Sequence, residues 1–178
     1  MSKPEPGEYA QSPYVSRYIE QVGEAPVLEV LARQFTEMQR IFGALDEEKS
    51  GYRYAEGKWT LKELLGHMVD TERIMAYRVL CIARGEKQPL PGFDENAYAQ
   101  NAAYGSRPFA DVLEEYRLVR GSNLLLFGSL TEPMLGQVGN ANGCNISARA
   151  MLYVLTGHET HHLGIIRERY SAGMRGKQ

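Results

Sequence analysis

The chain has 178 residues, of which 43% are hydrophobic and 24% are charged, a composition typical of one globular domain with a single core. Its formal net charge of -2 argues against a nucleic-acid-binding protein, which would present a basic surface. No signal peptide, disulfide framework or membrane-spanning apolar run is evident, so we expect a cytoplasmic protein that binds neither membranes nor nucleic acids.

The first 25 residues differ in composition from the rest of the chain. Residues 1–25 are rich in Pro, Glu, Ser and Tyr, and we predict an arm that wraps the domain or stays loose, with a short helix near Ser16 to Gln21. From Pro26 to Leu45, hydrophobic residues recur at spacings of three and four, which predicts the first long helix. Proline suits the first turn of such a helix.

The second helix has clear start and stop signals. Thr60 and Glu63 form the pattern of a capping box, and Gly85 follows the last hydrophobic residue of the run. Residues 85–107 then form a long connection that contains Pro, Gly and aromatic residues such as Phe93. A loop of this length is usually functional or disordered, and its aromatic content favours a loop packed on the domain.

Two further helices complete the pattern. The third is predicted from Pro108 to Leu130 and the fourth from Ser147 to Ser171, with the segment GQVGNANGCN as a loop between them. We find no alternation typical of strands. These elements predict an all-α fold, an antiparallel four-helix bundle over residues 26–172, followed by a tail at 173–178.

Histidine placement is the strongest indication of function. His67 lies in the second helix, and His158 and His162 lie four residues apart in the fourth. Residues four apart share one face of a helix, and this face also carries apolar residues: Met151, Leu155 and Ile165. Three histidines that face a core would each need a polar partner, so we predict a metal site rather than isolated hydrogen-bonded side chains.

One motif suggests a different reading. Residues 158–162 also fit the zinc-protease pattern H-E-x-x-H, in which Glu159 would be the general base. A protease of this type needs another ligand after the motif and a strand that pairs with peptide. Neither is evident here, because the sixteen residues after His162 contain no histidine and Glu168 lies off the ligand face. We therefore do not favour this interpretation.

Several motifs together resemble the DinB/YfiT-like family. They are WTLKELLGHMVDTE (59–72), GFDENAY (92–98) and the pattern A-R-A-x-x-Y-x-x-x-G-H-E-x-H-H (148–162), within a resemblance that spans about residues 26–172. This resemblance implies a four-helix bundle that holds one divalent metal ion through His67, His158 and His162, with His161 not a ligand. Many relatives carry a glutamine shortly after the last ligand, where this chain has Gly164-Ile165-Ile166.

Three neutral imidazoles leave the charge of a divalent ion uncompensated. Nitrogen ligands suit Zn and Ni, which we favour, and also Fe, Cu or Co. Such an ion could activate water, as in a hydrolase, or bind the thiolate of a low-molecular-weight thiol, as in a transferase; the resemblance implies both. We consider Glu159, Asp70 and Glu72 as catalytic bases, and Asp70 equally as a hydrogen-bond partner of a ligand histidine. An acidic cosubstrate would need basic residues, for which three arginines are available: Arg73, Arg78 and Arg169.

Other classes of function stay open at this stage. A non-catalytic metal-binding protein is a second hypothesis, although a structural zinc normally has four protein ligands. An interaction or stress protein with vestigial histidines is a third. We expect a small-molecule substrate for the preferred, enzymatic hypothesis, and a homodimer is compatible with a bundle of this kind.

Overall fold

The computed structural model describes residues 1–9 and 12–174. Its α-helices are α1 Pro13–Glu20, α2 Val27–Phe42, α3 Glu47–Ser50, α4 Leu61–Ala83, α5 Glu95–Asn101, α6 Phe109–Gly128, α7 Glu132–Leu135, α8 Ala148–Ile165 and α9 Ser171–Met174. Two strands, β1 Val138–Ala141 and β2 Cys144–Ser147, form a hairpin before α8. Short 3-10 turns cover Pro6–Glu8 and Tyr104–Ser106, and a π-helical turn, Ile166–Tyr170, extends α8.

The predicted four-helix bundle is confirmed, and its helices are α2, α4, α6 and α8. Helix α4 packs between α6 and α8, and α2 closes the ring on the opposite side. One core cluster joins the start of α2 and α8 to the ends of α4 and α6, through residues such as Val27, Leu31, Val79, Ile82, Phe127 and Met151. The other joins the opposite ends, through residues such as Met38, Phe42, Leu61, Leu65, Phe109 and Leu163.

This distribution of the core fixes the direction of each helix. Helices α4 and α6 run in the same direction, and both are antiparallel to α2 and α8. The connection from α4 to α6 must therefore return along the whole bundle, about 35 Å for the 23 residues of α4. The long segment at 85–107 makes this return, and it contains helix α5 and the turn Tyr104–Ser106 rather than irregular backbone alone.

The residues predicted to begin and end α4 do so in the structure. Thr60 Oγ1 accepts a hydrogen bond from the backbone N–H of Glu63 at 3.1 Å, and the Glu63 carboxylate accepts from the N–H of Thr60 at 2.7 Å. At the other end Gly85 adopts a φ of 86°, a left-handed conformation that glycine adopts without strain. These caps fix the register of the helix that carries His67.

The prediction of a strand-free loop before the fourth helix is wrong. Residues 138–147 form an antiparallel hairpin in which Val138 pairs with Ser147 and Ala141 pairs with Cys144. Its turn is Asn142-Gly143, and both residues have positive φ, as a type I′ turn requires. Isolated bridges join the hairpin to Tyr9 and to Leu90, so it covers one end of the bundle.

Helix α1 packs against α8, so the helical part of the N-terminal arm lies on the bundle. The contact is close at Gly157, where a Cβ atom would overlap the carbonyl oxygen of Tyr18. The predicted tail at 173–178 lies largely outside the described residues. Among the helices of residues 1–9 and 12–174, none is long and apolar enough to cross a membrane.

Candidate metal centre

Three histidine side chains converge inside the bundle. Nε2 of His158 lies 3.2 Å from Nε2 of His67 and 3.1 Å from Nε2 of His162. The potential ligand atoms of the three residues all lie within 4.8 Å of one another, and all three side chains are buried. Structure and sequence thus agree on which histidines come together, and His161 is not part of this cluster.

The cluster forms because α4 and α8 are antiparallel neighbours. His67 lies near the start of α4 and meets the second half of α8, where His158 and His162 are one turn apart. Aromatic rings cover two of the imidazoles: the ring centroid of Trp59 is 4.7 Å from that of His67, and the centroid of Tyr18 is 5.6 Å from that of His158. These contacts restrict the orientation of both imidazoles.

Burial keeps the three imidazoles neutral. It lowers the pKa of His67 to about 4 and that of His162 to about 3, and it holds the pKa of His158 well below the usual value. A neutral imidazole has one nitrogen lone pair available for coordination. Each histidine is therefore in the protonation state that a metal ligand needs.

Hydrogen bonding alone does not account for this geometry. A neutral imidazole Nε2 carries either one hydrogen or one lone pair, so it forms one hydrogen bond in the ring plane. Nε2 of His158 is nevertheless within 3.2 Å of two other ring nitrogens. Two nitrogen ligands of a tetrahedral zinc ion, each about 2.0–2.1 Å from it, are about 3.3 Å apart, and the observed spacing fits such an ion.

Glu159 follows His158 in the chain, but its side chain lies in a different network. Its carboxylate contacts the guanidinium of Arg120 and accepts a hydrogen bond from the Tyr116 hydroxyl at 3.1 Å. Arg120 also binds both carboxylate oxygens of Glu72 at 2.8 Å. The structure therefore brings neither Glu159 nor Glu72, both considered as catalytic bases from the sequence, into the histidine cluster.

Asp70 is half-buried on α4, one turn after His67. Its Oδ1 accepts a hydrogen bond from the Tyr104 hydroxyl at 2.8 Å, and burial raises the pKa of the carboxyl group. Tyr104 packs against Gly66, so the pair lies beside the turn that carries His67. In the described part of the chain, Asp70 forms no hydrogen bond to a histidine of the cluster.

Sequence reasoning missed several residues around the cluster. Tyr18 and Trp59 contact imidazole rings of the cluster. Tyr18 lies in the N-terminal arm, and Trp59 precedes Thr60, the N-cap residue of α4. Arg120 lies in the middle of α6, where its sequence context resembles that of an exposed arginine. The close approach at Gly157 was the one available signal, since a glycine inside an apolar helix often marks a packing contact.

A bundle of four helices with a buried cluster of three histidines defines the class of protein. Residues 31–166, about three quarters of the chain, match the family model described as the DinB superfamily. The chain belongs to the DinB superfamily.

Two similar proteins are described as proposed metal-dependent hydrolases, and a third as a mycothiol-dependent isomerase. A protein from Oceanobacillus iheyensis named as a proposed metal-dependent hydrolase is 29% identical over 131 residues, which are 70% of this chain and 72% of that protein. Among solved structures, YfiT from Bacillus subtilis, a proposed metal-dependent hydrolase with an unusual four-helix bundle topology, has a TM-score of 0.71 at 18% identity and covers 98% of this chain and 94% of its own. A mycothiol-dependent maleylpyruvate isomerase has a TM-score of 0.65 at 13% identity and covers 87% of this chain and 62% of its own.

Proposed function

We propose that this protein is a metal-dependent enzyme that acts on small molecules. It holds one divalent ion, Zn or Ni, through the Nε2 atoms of His67, His158 and His162. The observation that carries the proposal is the convergence of three buried ring nitrogens on one point, with His158 Nε2 within 3.2 Å of two others. The relative from Oceanobacillus iheyensis is named as a proposed metal-dependent hydrolase, which supports this proposal.

Three protein ligands leave a coordination position for a reactant, which distinguishes this cluster from a structural zinc site with four ligands. A divalent ion in such a site supplies Lewis acidity, which activates a water molecule or a thiol at neutral pH. The chain itself contributes neutral ligands and a buried setting. Trp59 and Tyr18 hold two of the imidazoles and reduce the space around them that water can enter.

Hydrolysis is the first reaction class that we propose, and it requires a proton acceptor near the attacking water. Asp70 is the candidate that we retain, because it lies one turn from His67, is half-buried and has a raised pKa. Glu159 is a weaker candidate, since Arg120 and Tyr116 bind its carboxylate. Asp70 can equally serve to position the α4 turn through Tyr104.

Transfer to or from a low-molecular-weight thiol is the second class. A thiol needs no separate base once its proton is lost to solvent, and the ligand cluster includes no carboxylate from the described residues. The mycothiol-dependent enzyme of similar fold uses a thiol of this kind, as its name states. A screen of ester and amide substrates, run with and without thiols, separates the two classes: turnover without thiol supports hydrolysis.

Elemental analysis of protein purified without an affinity tag tests the metal site. We expect about one equivalent of zinc or nickel in the parent protein and its loss in His67→Ala and His162→Ala. The matched control is His161→Ala, which removes a neighbouring histidine outside the cluster and should retain the ion. Metal that is absent from the parent, or retained in the two ligand variants, would overturn the proposal.

A further inference from the structure

A cavity of about 290 Å³ lies between α1, α4, α8 and the hairpin. Apolar side chains from these elements form much of its wall, among them Val15, Met75, Ile146, Met151 and Val154. Polar residues line the rest of the wall: Ser12, Tyr14, Asn142 and Cys144, with Arg78 and Glu95 as the two charged residues. A concave site in which apolar side chains and placed polar groups line the same space is suited to an amphipathic small molecule.

The cavity lies close to the histidine cluster. Val154, which lines it, is one helical turn before His158, about 6 Å along the axis of α8. On the α1 side, Val15 lines the cavity, and Tyr18, one turn further, contacts the His158 ring. A molecule that fills the cavity would thus extend toward the proposed ion along both helices.

Arg78 is the unusual residue of this wall. It is 7% exposed, its guanidinium lies 5.9 Å from the centroid of the Phe93 ring, and it donates one hydrogen bond to the carbonyl of Pro91 at 2.6 Å. A guanidinium has five N–H donors. Within residues 1–9 and 12–174, no carboxylate oxygen lies within 4.0 Å of a guanidinium nitrogen of Arg78, and Glu95 lines the cavity without forming an ion pair with it.

Two arginines on α4 and α6 illustrate the usual pairing with carboxylates. Arg120, which is fully buried, binds two carboxylates, and Arg73 on the same helix as Arg78 contacts Glu115 at 2.5 Å. Burial of a cation without a counterion is unfavourable, and burial correspondingly lowers the pKa of Arg78. An anion bound in the cavity would supply the missing counterion.

We propose that Arg78 binds an anionic oxygen group of the substrate, a carboxylate or a phosphate ester, and that the cavity holds the apolar body between this group and the ion. This inference rests on the proposed function. Arg78 is eleven residues after His67 on α4, about 16 Å along the helix axis. The substrate is therefore elongated, with its reacting bond and its anionic group at opposite ends.

Binding of simple probes tests this assignment without knowledge of the substrate. Hexanoate, hexyl phosphate and the neutral hexanol are titrated into the purified protein by ligand-observed NMR. We expect the parent to bind hexanoate or hexyl phosphate more tightly than hexanol, and Arg78→Gln to weaken binding of the preferred anion about tenfold or more. The tighter of the two anions identifies the chemical group, and hexanol binding should not change.

Two further variants make the test specific. Arg78→Lys keeps the charge and should recover part of the affinity, which a general folding defect would not allow. Arg73→Gln removes a guanidinium that lines a neighbouring pocket of about 270 Å³, which Arg78 also lines, and should leave anion binding unchanged. Equal weakening in Arg73→Gln, or no weakening in Arg78→Gln, would overturn the proposal.

Failure of this inference can be separated from failure of the metal site. The same titration is repeated with His162→Ala, in which the proposed ion is lost. Anion binding that persists in His162→Ala and disappears in Arg78→Gln assigns the anion to Arg78 whether or not the parent holds metal. Binding that depends on His162 alone would place the probe at the ion and would contradict the Arg78 assignment.

Discussion

The guanidinium of Arg120 on α6 binds the carboxylate of Glu159 on α8, with both side chains at most 3% exposed. The same guanidinium binds Glu72 on α4, so one buried cation links the two helices that carry the histidine cluster. Tyr116 and Asn123 donate further hydrogen bonds to these carboxylates. The glutamate of the H-E-x-x-H pattern thus serves in helix packing in this fold.

Replacement of Arg120 should be severely destabilising. Arg120→Met leaves two buried carboxylates without their cation, a change that typically costs about 3–5 kcal/mol. Urea denaturation followed by circular dichroism measures the loss. Arg117→Met is the matched control on the same helix, because Arg117 forms an exposed pair with Glu114 and its loss should leave the unfolding midpoint unchanged. Similar midpoints for the two variants would contradict a structural role of the buried network.

Glu159→Gln should be less destabilising than Arg120→Met. Burial raises the pKa of Glu159 even though Arg120 is adjacent, which means that the buried negative charge is only partly compensated. A neutral amide keeps one acceptor oxygen, but its NH2 group faces one of the donors, Arg120 or Tyr116. Because Arg120 retains Glu72, we expect a cost of about 1–3 kcal/mol. Elemental analysis of this variant should show the same metal content as the parent. A loss of metal would show that Glu159 supports the ion directly.

The bundle and its histidine cluster were accessible from sequence because both depend on local periodicity. The spacing of apolar residues predicts helices, and the i, i+4 relation of His158 and His162 predicts a shared face. His67 required one more step, the assumption that its helix packs against theirs. The capping residues Thr60 and Glu63 made that assumption more specific, because they fix where α4 begins and therefore the position of His67 along the bundle axis.

The parts that escaped prediction depend on contacts between residues far apart in the chain. Arg120 meets Glu72 and Glu159 across 48 and 39 residues, and no local pattern marks such a partner. The hairpin at 138–147 has only four residues in each strand, too few for a clear alternation. The Asn142-Gly143 pair was the signal that could have revealed it, because both residues of a type I′ turn need positive φ.

Gly157 should be essential for docking of the N-terminal arm. In Gly157→Ala the new methyl group would overlap the carbonyl oxygen of Tyr18, and α1 must shift away from α8. We expect a loss of roughly 1–3 kcal/mol, typical of overpacked contacts, and faster proteolysis within residues 1–25. Thermal unfolding and limited proteolysis measure the two effects.

The control for this prediction lies seven residues further along the same helix. A Cβ atom at Gly164 meets no other heavy atom within 4 Å, so Gly164→Ala should gain roughly 0.5–1 kcal/mol from higher helix propensity. Equal stability of the two alanine variants would mean that the arm does not dock at Gly157.

Trp59, the single tryptophan of the chain, should report on occupancy of the proposed metal site. Its ring centroid is 4.7 Å from that of His67, so an ion on His67 Nε2 would lie close to the indole. Addition of Ni²⁺, an open-shell ion, to chelator-treated protein should quench the tryptophan fluorescence, whereas Zn²⁺, with its filled d shell, should change the emission only slightly. His67→Ala should abolish quenching at stoichiometric Ni²⁺, and His161→Ala should retain it. Quenching that is equal in both variants would assign the effect to nickel bound elsewhere on the protein.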